Sequence, residues 1–184
     1  MKENMTRAQF LKKMFTTASD QVTKAVDKRV EALTPDRPRP PWSLTESEFL
    51  GTCEKCRSCG EICPQDIIYY HGEDSLIAAG TPYLDFTEDY CDYCGECVKA
   101  CPSGALNFER GHKEPGKALI SKNACIAFSG TICRYCAEAC PELAITMEVY
   151  KYPKIDIEKC NGCGACISPC IGEAIDIKEL KREI

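Results

Sequence analysis

The chain has 184 residues, a formal net charge of -5 at pH 7 and 16 cysteines. No run approaches the roughly 18 consecutive apolar residues of a transmembrane helix, and a mildly acidic chain is ill suited to nucleic-acid binding that rests on Lys and Arg neutralising phosphates. A cysteine content of about 9% leaves three explanations: a disulfide framework, zinc sites or iron–sulfur clusters.

Residues 6–15, TRAQFLKKMF, nearly match a twin-arginine export signal, roughly Ser-Arg-Arg-x-Phe-Leu-Lys. Thr6, Arg7, Phe10, Leu11 and Lys12 fall in the matching places, but Ala8 stands where the second arginine belongs. A secretory signal also needs an apolar run of roughly 7–15 residues, and here charges continue throughout KMFTTASDQVTKAVDKRVEAL. Leu11, Phe15, Ala18, Val22, Ala25, Val26, Val30 and Leu33 recur at steps of three and four, the mark of one helix face. The sequence therefore predicts a long amphipathic helix within residues 1–34, starting near Thr6 and stopping before Pro35, on a chain retained in the cytoplasm. The face could pack on the rest of the chain or dock a partner protein. Peripheral membrane association also stays open, because Lys12, Lys13, Lys24, Lys28 and Arg29 outnumber Asp20, Asp27 and Glu31.

Residues 35–43 read as a linker. Pro35, Pro38, Pro40 and Pro41 predict a stiff, extended spacer without a core of its own, anchored by Trp42. SLTESEFLGT (43–52) predicts a short helix, with Ser43 or Thr45 as N-cap and Glu46 or Glu48 three residues later. Next comes CEKCRSCGEICP, which holds Cys53, Cys56, Cys59 and Cys63. IIYY (67–70) and YLDF (83–86) then predict a hairpin around HGEDSLIAAGTP. CDYCGECVKACP holds Cys91, Cys94, Cys97 and Cys101, and ALNF (105–108) is expected as a closing strand. This first module, residues 44–111, lacks an opening strand.

ERGHKEPGK (109–117) reads as a polar surface linker with His112 solvated. The second module, residues 112–184, has the cleaner pattern. ALI (118–120) precedes CIAFSGTICRYCAEACP, which holds Cys125, Cys133, Cys136 and Cys140. AITMEV (144–149) follows. KIDI (154–157) leads into CNGCGACISPC, which holds Cys160, Cys163, Cys166 and Cys170, and AIDI (174–177) closes the chain's pattern. That is strand, cysteine loop, helix, strand, twice over, with Ile145, Ile155, Ile157, Ile175 and Ile177 as the expected apolar cover. The fold class is α+β: two tandem dicluster ferredoxin-like modules preceded by the long helix.

Three of the four groups read C-x2-C-x2-C-x3-C, and the third stretches its first gap to seven residues. Three thiolates spaced by three residues can wrap one corner of an iron–sulfur cube, while the fourth lies too far round and serves a second cluster. Gly95, Gly162 and Gly164 suit loops whose backbone approaches sulfur closely. A disulfide framework needs an oxidising compartment, which nothing here secures. Zinc favours two cysteine pairs, often with His, and His71 and His112 stand outside any C-x2-C. The expected cofactors are therefore four [4Fe-4S] clusters, with all sixteen cysteines as ligands and none left as a nucleophile.

Pairing the groups sequentially gives the sets Cys53, Cys56, Cys59, Cys101; Cys91, Cys94, Cys97, Cys63; Cys125, Cys133, Cys136, Cys170; and Cys160, Cys163, Cys166, Cys140. A nested pairing, first with fourth and second with third, is the alternative. Tyr93 and Tyr135 sit inside cluster loops and are read as shields rather than electron carriers.

From about Arg37 onward the chain resembles the NapF family of ferredoxin-type proteins. The shared features are the RPRPPW entry, the short helix before CEKCRSCGEICP, the stretched third group beginning CIAF, and CNGCGAC in the fourth. The fourth group departs from the family in continuing CIG rather than CP. The resemblance implies a cytoplasmic accessory protein acting on the molybdoenzyme catalytic subunit of periplasmic nitrate reductase before its export. It implies a redox partner protein, no nucleic acid and no enzyme activity of the chain's own. The alternative is a permanent electron-transfer subunit of a respiratory or dehydrogenase complex.

Overall fold

The computed structural model describes residues 25–26, 29–30, 33–147 and 152–178. The amphipathic helix expected before Pro35 lies almost wholly outside the described residues, although Ala25, Val26, Arg29 and Val30 are helical. Among the described residues no helix is long and apolar enough to cross a membrane.

The hairpin forms as its sequence suggests. β1 (Ile68–Tyr70) and β2 (Pro82–Leu84) pair antiparallel, with Ile68 opposite Leu84. In the second half, β3 (Lys117–Ile120) pairs with β6 (Ile175–Lys178), and β4 (Ile145–Met147) pairs with β5 (Pro153–Ile155), both antiparallel. β-branched residues alternating with polar ones direct this outcome. Ile145, Ile175 and Ile177 turn inward, while Thr146 and Asp176 face out. Ile157 does not join this cover. β5 ends at Ile155, the alternation stops there, and Ile157 is half exposed in the following turn.

ALNF is not a strand. Leu106 makes one bridge to Ser43, and Ser43 bridges His112 on its other side. The Leu44 N–H donates to the Ala105 carbonyl and the Asn107 N–H to that of Trp42. Ser43 and Leu106 thus stand where β3 and β6 stand in the second module. The ladder cannot lengthen upstream, because Pro40 and Pro41 bring no N–H donors.

The proline segment is not a free spacer either. Pro38, Arg39, Pro40 and Pro41 are buried, and the Pro38 carbonyl accepts from the Leu84 N–H at 2.8 Å. Prolines can be buried without stranding an amide donor, so a segment that looks like a linker becomes wall. Trp42 meets Phe108 edge-on at 5.0 Å and Tyr93 at 6.0 Å. The later linker shows the same contrast: His112 and Lys113 are exposed, but Pro115 and Gly116 are buried.

Short helices follow the first three cysteine groups' cores: Ser58–Glu61, Glu96–Lys99 and Tyr135–Ala139. Residues 165–169 of the fourth group form turns instead, where Pro169 brings no N–H to continue a helix. Helix Glu46–Thr52 begins after Thr45, whose hydroxyl donates to the Glu48 carboxylate at 3.2 Å rather than accepting from the backbone. One continuous core, from Leu44, Phe49 and Phe86 to Cys166 and Ile177, runs through both modules.

That core holds a titratable group. His71 is 7% exposed, and its ring lies 4.6 Å from that of Tyr83. Burial, then the positive charge of Arg39, push its pKa down from 6.5 to about 4; Glu46 and Asp74 oppose this and Arg37 reinforces it. A group with a depressed folded pKa binds more protons unfolded, so its stability is full above about 6.5 and is lost as pH falls toward 4. Wild-type protein should lose on the order of 1 kcal/mol more than His71→Phe between pH 7 and pH 5, read from urea midpoints. Equal losses in the two proteins would contradict this.

Candidate metal centres

Four cavities carry the cysteines. The first is lined by Cys53, Cys56, Cys59 and Cys101, with Phe49 and Leu106 among its walls. The second is lined by Cys63, Cys91, Cys94 and Cys97, under Pro41, Trp42 and Leu84. The third takes Cys125, Cys133, Cys136 and Cys170, beside Ile126 and Tyr135. The fourth takes Cys140, Cys160, Cys163 and Cys166, beside Ile145 and Ile177. Every cavity has three thiols of one group and the last thiol of its sequential neighbour, so the structure gathers the cysteines in the sequential pattern and not the nested one.

Each cavity opens to solvent beside its four thiols. Among the described residues no three His, Cys, Asp or Glu close on a point as ligands of one metal ion do. Four thiols around one cavity, three from one group and one from its neighbour, are the donor set of a four-iron cube. All sixteen are free thiols, so no disulfide framework forms.

The loops wind by a repeated backbone device. In the first, second and fourth groups, the residues just before and just after the second cysteine adopt positive φ: Lys55 and Arg57, Tyr93 and Gly95, Gly162 and Gly164. This left-handed step brings successive thiols inward. It is easy for glycine and strained for Lys, Arg and Tyr, a strain that functional loops retain when their surroundings enforce it. The glycines were expected to let backbone approach sulfur. At Gly162, however, a Cβ would run into the Gly116 carbonyl, so there the close neighbour is chain, not sulfur. Asp92 and Asn161, each following the first cysteine of its group, accept from the amides of Cys94 and Cys163 at 3.0 and 3.1 Å. In the first group, Tyr70 from β1 braces the loop: its hydroxyl donates to the Arg57 carbonyl and accepts from the Gly60 N–H.

Backbone amides also reach sulfur. The N–H groups of Leu106, Ala144 and Ala174 donate to the Sγ atoms of Cys101, Cys140 and Cys170 at 3.5, 3.3 and 3.3 Å, and that of Ala118 to Cys160 at 3.4 Å. Such bonds stabilise thiolate charge and tune a cluster's potential. Cys101, Cys140 and Cys170 are three of the four cysteines that cross to the neighbouring cavity, the fourth being Cys63. Their shared partner position, four or five residues downstream, could have been found by aligning the four groups.

Without metal, these cavities disfavour a bare thiolate. Burial pushes Cys59 and Cys136 up to about 11, and Cys91, Cys97 and Cys166 up to about 12, with neighbouring thiols adding repulsion. Cys56, at the surface, is instead lowered by its hydrogen bonds to Ser58. Iron cations supply the positive charge that such a donor set lacks, and the buried thiols then bind as thiolates.

The third site keeps the four-thiol lining by a different path. Ile126–Ser129 forms a 3-10 turn ending at Gly130, φ 89°, and the chain returns through Ile132, which is 93% exposed, to Cys133. Phe128 stacks on Tyr152 at 4.5 Å and fixes the insertion. Tyr135 lines the third cavity and Tyr93 the second.

Residues 52–105 and 131–181 match the 4Fe-4S dicluster domain family. The methylamine utilization ferredoxin-type protein MauM of Methylophilus methylotrophus is 34% identical, over 79% of this chain and 71% of its own length. Ferredoxin-type protein NapG of Escherichia coli K12 is 32% identical, over 78% and 70%. Ferredoxin-type protein NapF of the same strain is 32% identical, over 77% of this chain and 85% of its own.

Proposed function

The chain belongs to the 4Fe-4S dicluster domain family, as an iron–sulfur, ferredoxin-type electron-transfer protein with four [4Fe-4S] clusters, and on that premise we propose that it is an accessory factor for a redox-enzyme precursor. The sixteen cysteines, in the four sets that line the cavities, are its iron ligands. When bound, each cluster supplies reversible one-electron exchange. The chain's residues hold the sulfurs, donate amides to them and cover them with apolar side chains. The module boundaries are residues 44–111 and 112–184.

One observation carries the reading: every cysteine belongs to a four-thiol cavity, so the chain devotes its reactive side chains to redox centres. Similarity to NapF across 85% of that relative supports a molybdoenzyme precursor in the cytoplasm as the target. Four clusters and their thiolates add negative charge to a chain already at -5, so the partner should present a basic patch. The similarity to MauM favours a second reading, an electron-transfer component of a different oxidative system.

A carboxyl-terminal tag, anaerobic growth, fractionation and affinity capture separate the two. The accessory role predicts full-length protein in the cytoplasm and a substoichiometric partner that still carries its twin-arginine signal. A one-to-one partner that resists washing, or protein in the periplasm, would overturn it.

A further inference from the structure

We propose that the two modules meet through their second and fourth metal centres, and that Tyr93 is the positioning residue that holds this junction. The Cys91 N–H, in the second cavity, donates to the carbonyl of Cys163, in the fourth, at 2.8 Å. Two residues along, the Tyr93 hydroxyl donates to the carbonyl of Asn161. Phe86, just past β2, lies so close to Gly164 that a Cβ there would enter its ring. Two hydrogen bonds thus join the loop of one site to the loop of the other, and Phe86 adds a third contact between the modules.

Tyr93 suits this role. It is half buried, Trp42 meets its ring edge-on, and its hydroxyl reaches the backbone of the fourth loop. Asn161 fits from the other side: its side chain caps the Cys163 amide while its carbonyl accepts from Tyr93. Within each module the exchanged cysteine already links first to second and third to fourth. The centres therefore stand in the order first, second, fourth, third, which is not their order in the sequence. The first and third become the outer ends, where a donor and an acceptor protein would meet the chain.

This inference rests on the ligand sets proposed above, and its test separates the two. Anaerobic holoprotein is compared with Tyr93→Phe by iron content, by hydrogen–deuterium exchange of the peptide containing Cys91, and by EPR of the fully reduced state. Iron content should be unchanged. Exchange at Cys91 should be slow in the wild type and roughly fivefold faster in the variant, the effect of one lost hydrogen bond. The magnetic interaction between reduced clusters should weaken, and the potentials of two clusters should shift while two stay fixed. Unchanged exchange and EPR with iron retained would overturn the junction. So would Cys91 exchanging in the wild type as fast as an exposed loop, a result that needs no variant. Ligand sets that were wrong would show instead as iron retained after a cysteine is replaced.

Discussion

Replacing Cys97 with Ala should lower iron and acid-labile sulfide by about a quarter, one cluster of four, and destabilise the first module. Cys97 is buried and lines the second cavity with Cys63, Cys91 and Cys94. Its loss leaves three thiols, and burial keeps Cys91 protonated, near a pKa of about 12, unless iron draws the proton off. Three thiolate donors hold a cluster far less well than four. Because metal affinity is part of folding energy here, the missing cluster appears as lost stability. The helix Glu96–Lys99 packs on the helix Ser58–Glu61, so the damage should reach the first site before the third. Leu119→Ala, on the exposed side of β3, is the control and should leave iron unchanged. Full iron content in Cys97→Ala would refute its assignment as a ligand.

Arg39→Ala should cost about 3–5 kcal/mol, the effect of stranding one member of a buried ion pair. The guanidinium is 1% exposed. Its Nε and Nη2 donate to the two carboxylate oxygens of Glu46 at 3.0 and 2.5 Å, and Nη1 donates to the Thr81 hydroxyl and the Pro82 carbonyl. It also lies 4.8 Å from the Phe49 ring. One side chain therefore ties the proline segment, helix Glu46–Thr52 and β2 together. Arg39→Lys should recover only part of the loss, because an ammonium cannot make the planar two-bond contact. The double variant Arg39→Met with Glu46→Leu should lie nearer the wild type than either single removal, since no charge is then left unpaired. Denaturant midpoints check all three, and a loss under 1 kcal/mol in Arg39→Ala would contradict the assignment.

Local chemistry was legible in the sequence, and long-range partnership was not. Cysteine spacing is a local pattern, so the four groups and the stretched loop between Cys125 and Cys133 could be read directly. Isoleucine alternation marked β4 and β6, because a two-residue period survives in any register. The pairing of groups depends on how Cys63 and Cys101 cross over, which only the tertiary structure settles. Arg39 looked like one more charge in a proline spacer, since its partners Glu46 and Thr81 lie 7 and 42 residues away. ALNF has the composition of a strand but lacks a partner of matching length. The left-handed steps at Lys55, Arg57 and Tyr93 were hidden because none is glycine. Aligning them with Gly162 and Gly164 would have exposed them.

The central claim is that each four-thiol cavity holds a [4Fe-4S] cube. Mössbauer spectroscopy of anaerobically purified, 57Fe-enriched holoprotein, with iron counted per chain, tests it most directly. The account predicts that all iron falls into [4Fe-4S] signals amounting to four clusters per chain. A count of three clusters, iron in single tetrahedral thiolate sites, or zinc in place of iron would contradict it.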